Sequence, residues 1–124
     1  MKTFVLLPLA FILAVTTDKC KNKNENSAYK GKLEVKGMCM NYTIKLLEGN
    51  IDTSKIVTEW KNEVTGKTHN NVCALGSVCN FPSTIKEGDE FYFTIDSTYV
   101  GNCAVCLAYY PKPSKSMAIK ILNK

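Results

Sequence analysis

Arginine is absent from this chain of 124 residues, and histidine and tryptophan occur once each, as His69 and Trp60. All 16 basic side chains are therefore lysines, set against 11 acids for a formal net charge of +5. Arginine supplies the planar fork that matches phosphate and guanine, so its absence argues against specific nucleic-acid recognition. A single histidine leaves no paired-histidine spacing for a zinc site. Apolar runs are also short. The longest, at 4–15, falls below the roughly 20 residues needed to span a bilayer.

What that run does fit is export. Lys2, then the apolar stretch at 4–15, then the small polar Thr16 and Thr17 follow the layout of a secretory signal, assigned to 1–17. Loss of Lys2 with it brings the net charge to about +4, a mildly basic balance that suits solubility. Residues 18–27, rich in Lys, Asn and Glu, have the composition of a solvated tether. The remaining residues, 28–124, are one domain's worth of chain, enough to bury a core of its own.

An exported chain meets oxidising conditions, so its cysteines are expected to cross-link. The set is Cys20, Cys39, Cys73, Cys79, Cys103 and Cys106, an even number that permits three bridges. Cys20, just past the apolar run, also stands where a bacterial lipoprotein carries its acylated cysteine, although Thr17, Asp18 and Lys19 suit that processing poorly. Lipid on Cys20 is the one expected link to a membrane, and it would leave an odd thiol behind. Closing the short Cys73 to Cys79 loop would stabilise by about 2.4 kcal/mol from chain entropy, against about 4.3 kcal/mol for joining Cys39 to Cys103. Long-range links are favoured, with the pairing left open.

Period-two patterning dominates the rest. Leu33 and Val35 alternate with Lys32, Glu34 and Lys36; Tyr42, Ile44 and Leu46 alternate with Thr43 and Lys45; Phe91, Phe93 and Ile95 alternate across 90–96. Residues 103–109 read as a buried strand and 117–122 as a closing one. Residues 52–66 are ambiguous: the Ile56, Trp60, Val64 spacing suits a helix, while the β-branched content favours strands in a hairpin returning into 68–74. The hairpin is preferred. Six or seven short strands with turn signals every 8–12 residues, roughly, predict an all-β domain. The expected form is a small partly open barrel of the OB or SH3-like kind, with a β-sandwich as the alternative.

Candidate chemistry is sparse. Cys103 and Cys106 form a CxxC, but on a strand their side chains would face opposite ways, so pairing with two different partners is expected rather than redox catalysis. His69 lies four positions from Cys73 yet reads as an exposed loop histidine, and acids such as Glu87 and Asp89 read as solvated charge. Neither a catalytic residue nor a metal or other cofactor is expected. Asn41, Tyr42 and Thr43 form a glycosylation sequon within a predicted strand. The most promising surface is aromatic: Tyr99, Tyr109 and Tyr110, beside Pro111 and Pro113, with Trp60 as a further contact.

The leader with its basic flank (1–23) and the Gly88-Asp89 turn feeding Glu90, Phe91, Tyr92 and Phe93 resemble those of small exported β-proteins, often lipoproteins without an assigned activity, of Bacteroidetes-type bacteria. The resemblance implies a periplasmic, envelope or extracellular location and carries over no functional residue. The functional expectation is a non-catalytic binding module for a protein, peptide or glycan. An envelope-tethered structural protein is the alternative, and a thiol-based enzyme comes third.

Overall fold

A computed structural model describes residues 28–122. The signal segment at 1–17, the tether at 18–27 and the lipidation candidate Cys20 lie outside the described residues. Within them the chain is all-β. The strands are β1 (Tyr29–Lys36), β2 (Tyr42–Glu48), β3 (Val57–Lys61), β4 (Thr68–Leu75), β5 (Glu90–Ile95), β6 (Ser116–Met117) and β7 (Ile119–Ile121). Single 3-10 turns at Met38–Met40 and Val78–Asn80 interrupt the connections.

All seven strands belong to one sheet, ordered β3-β4-β2-β1-β5-β7, with β6 pairing parallel to the end of β4. Every other pairing is antiparallel. The C-terminal segment therefore touches two distant parts of the sheet. Ser116 and Met117 run beside Ala74 and Leu75, while residues 119–121 run beside 93–95 of β5. Two short pairings of one segment curl the sheet without closing it, giving a partly open barrel in place of two stacked sheets.

The curl has local causes. The β1–β2 register shifts twice, with an extra residue in β2 (Leu47) opposite the Lys30–Gly31 step and one in β1 (Glu34) between Leu33 and Val35, and such bulges raise twist and bend the strands. Gly31 is needed for packing at one of them: a Cβ there would lie 2.8 Å from Cε1 of Phe93 and 3.2 Å from the Lys45 carbonyl. The concave face gathers Leu33, Ile44, Leu75, Phe91, Phe93 and Ile119 into the core. Phe81 joins them from the irregular 76–89 stretch, meeting Tyr42 and Phe91 edge-on at 5.7 and 5.8 Å between ring centroids. One buried hydroxyl completes the wall. Ser77 Oγ donates to the Ile119 carbonyl and accepts from the Ile119 N–H, both at 2.8 Å, so a single side chain fixes β7 to the turn after β4.

The ambiguous 52–66 stretch is the hairpin arm, with β3 and β4 joined through a turn at 62–67. Asn62, fully buried, accepts from the Val64 N–H through its side-chain oxygen, and its carbonyl accepts from the Gly66 N–H. The Asn62 N–H donates to the Lys67 carbonyl at 2.9 Å, and this bond back across the turn continues the β3–β4 pairing and marks a hairpin.

Candidate functional site

Residues 103–109 are not the buried strand their apolar content suggests. They form no strand, and every residue from 101 to 109 is exposed. The reason lies in the cysteines. Cys106 is bonded to Cys39 in the β1–β2 connection, and Cys103 to Cys79 in the turn after β4, so the CxxC is split between two partners as expected. A segment held by sulfur at two points a turn apart has no freedom to align with a neighbouring strand.

Further contacts fix the loop from below. The Asn41 side-chain amide donates to the carbonyls of Met38 (2.9 Å) and Ala108 (3.1 Å), while Cys39 and Met40 sit at positive φ (56° and 61°). Two successive left-handed non-glycine residues carry backbone strain that persists only where the surroundings hold them, and here a disulfide and an amide clamp do so. With Asn41 half-buried and its amide occupied, the sequon residue is a structural clamp, and Thr43 is fully buried.

The aromatic candidates divide. Tyr110 is half-buried, its ring against Gly37, where a Cβ would lie 2.5 Å from Cδ1, and its hydroxyl accepts from the Asn62 side chain at 3.2 Å. The hydroxyl of Tyr99, also half-buried, accepts from the Cys79 N–H at 3.1 Å. Both brace the loop from within. Tyr109 is 79% exposed, and it is joined by residues that the tyrosine-centred reading passed over: Leu107 at 97%, Val100 at 84%, with Val105 also exposed. A signal for them did exist, since residues 97–111 contain no charged side chain. Between this loop and the ends of β2 and β4 runs a groove of about 530 Å³, with Met40, Val78, Leu107, Tyr109 and Lys112 among its walls.

Trp60 and His69 face each other across β3 and β4, rings 5.6 Å apart, and neither is among the residues lining the groove. His69 is not an exposed loop residue. It lies within β4, its side chain only 10% exposed, with Nδ1 3.0 Å from Glu34 Oε1, and Glu34 Oε2 lies 3.1 Å from Lys32 Nζ. Burial alone would push the Glu34 carboxyl up, but the His69 hydrogen bond and the charges of Lys32 and Lys45 hold it below the ordinary carboxylate range. The result is a cross-strand ion cluster on the sheet, with no nucleophile in it.

Cys73 is the one thiol among the described residues that forms no bridge, and it faces the core, where burial pushes it up to about 12. A thiol so raised is held protonated at neutral pH and is a poor nucleophile. No group of side chains suited to hold a metal ion occurs among the described residues. No protein-family model, curated protein or solved structure matches the chain.

Proposed function

We propose that the protein is a non-catalytic exported binding module whose contact surface is the disulfide-held loop at 97–111. The observation that carries this reading is the combination of apolar side chains in water with rigid support. Leu107, Val100 and Tyr109 stand exposed on a segment fixed by two cross-links, an amide clamp and two inward-facing tyrosines. Apolar patches on soluble domains mark contact sites, and a pre-ordered loop loses little conformational entropy on binding. Export supplies the oxidising surroundings in which those cross-links persist.

The direction of display supports the same reading. The chain enters the domain at Tyr29, and the loop sits beyond the other end of β1, against Gly37 and Cys39. Eight strand residues separate the two ends by roughly 26 Å. A tether leaving from Tyr29 would therefore point the loop away from whatever surface the tether is attached to. The envelope-tethered alternative is compatible with this layout and gains from one fact: four of the domain's five cysteines pair with each other and the fifth is buried, so Cys20 finds no accessible partner among the described residues. The thiol-enzyme reading finds Cys103 and Cys106 each committed elsewhere and Cys73 raised out of reach.

The test is photo-crosslinking in exporting cells with a benzophenone side chain at position 107, and at Asn50 near the Tyr29 end as control. A discrete adduct from 107 alone is expected. No adduct, or the same adduct from both positions, would overturn the assignment of the loop as contact surface.

A further inference from the structure

Given that reading of the loop, we infer that the groove beside it takes an extended peptide bearing apolar side chains and a carboxylate. Three observations converge on that occupant. Val105, Leu107 and Tyr109 offer apolar area along the groove and its rim. Among the described residues lining it, Lys112 is the one charged side chain, so the site carries a cation with no acid beside it to neutralise it. The backbone is the third. Residues 104–110 make no hydrogen bond to another backbone group, and the Ala108 carbonyl, held by the Asn41 amide, still has a second lone pair.

Unpaired, exposed N–H and C=O groups in a rigid segment are what a second polypeptide backbone can satisfy. A carboxylate on an acyl chain could meet Lys112 and the apolar walls, but it would leave those amides to water. The peptide uses all three features, and the cross-links hold the groups in place before it arrives. An acidic side chain and a terminal carboxylate offer Lys112 the same chemistry, and the experiment separates them.

Random heptapeptides displayed on phage would be selected on the oxidised protein, and the enriched sequences synthesised with free and with amidated C-termini for fluorescence anisotropy. Enriched peptides are expected to combine two or more apolar residues with Asp, Glu or a required free terminus. Lys112→Glu should weaken them by about fivefold or more, since reversal replaces an attraction worth up to about 1 kcal/mol with a repulsion. Leu107→Ser with Tyr109→Ser should remove binding, and both variants alter exposed residues, so retained far-ultraviolet circular dichroism shows that they still fold. The inference fails if nothing is enriched, if Lys112→Glu binds the selected peptides as tightly, or if dodecanoate displaces them completely at equal concentration. Adducts from position 107 without peptide selection would leave the loop as a contact surface and remove the peptide groove alone.

Discussion

Breaking the two cross-links separately should reveal different contributions, because they close loops of different size. Cys39 and Cys106 are 67 positions apart, and Cys79 and Cys103 are 24 apart. From the entropy that each removes from the unfolded chain, the first stabilises by about 4.4 kcal/mol and the second by about 3.5 kcal/mol. The loops are nested. With the inner bridge in place, the outer one closes a shorter effective path, which lowers its share to about 4 kcal/mol. Losing both would then remove about 7.5 kcal/mol, the scale of a small domain's entire stability. Urea unfolding of Cys39→Ser with Cys106→Ser, and of Cys79→Ser with Cys103→Ser, would measure each. The outer pair should cause the larger drop, and both should raise the urea dependence, because an unlinked chain exposes more surface on unfolding. The double removal should leave a chain with little or no cooperative transition. If either pair is lost with less than about 1 kcal/mol of change, with absence of new bridges verified by mass, the domain does not depend on these links and the rigid-display reasoning fails.

Ser77→Ala removes both bonds to Ile119 at once and buries an unpaired N–H and carbonyl, so a loss of about 2–3 kcal/mol is expected in the same urea assay. For Glu34 the folded carboxyl is held below its unfolded range, so its contribution is present above the unfolded pKa and lost as pH falls through the folded one. Acid titration of stability should therefore flatten in Glu34→Gln, with the difference between variant and parent vanishing at the lowest pH. Cys73 should resist a thiol reagent at pH 8 while the protein is native and react at once in denaturant, as mass spectrometry would read. Leu107→Ser should change stability by no more than about 0.5 kcal/mol, because its side chain is 97% exposed.

Much of the sheet was legible because a half-buried strand must alternate. Leu33 and Val35, Ile44, and Phe91 and Phe93 all face the core as their spacing demands. The 52–66 hairpin was legible from β-branched residues, although Ile56, Trp60 and Val64 carried a competing helical period that tertiary pairing with β4 overrode. What sequence pattern could not supply was the fate of apolar residues outside any alternation. Residues 103–109 look buried in one dimension, because Ala, Val, Leu and Tyr usually are. They are exposed because two sulfur bonds and Asn41 fix their backbone, a constraint that depends on pairing partners many positions away. His69 misled in the opposite direction. Polar neighbours such as Thr68 and Asn70 suggested a loop, while Glu34, two strands across the sheet, supplied the partner that lets an imidazole lie within a strand.

The same contrast explains why the loop and the core need different kinds of support. Strands β1, β2, β4 and β5 satisfy their backbone groups through pairing, and their apolar faces stabilise them by leaving water. The loop at 97–111 gains little from either source: Val100 and all the side chains from 101 to 109 stay in water, and its amides lack backbone partners between 104 and 110. Without external restraint, such a segment would sample many conformations or collapse its Val, Leu and Tyr side chains against any available apolar surface. Cross-links are suited to this situation because they act on chain entropy, leaving the side chains uncovered. Both bridges meet the 97–111 loop, one at Cys103 and one at Cys106, and none of the four bonded cysteines lies in a strand, so the links act where pairing and burial contribute least.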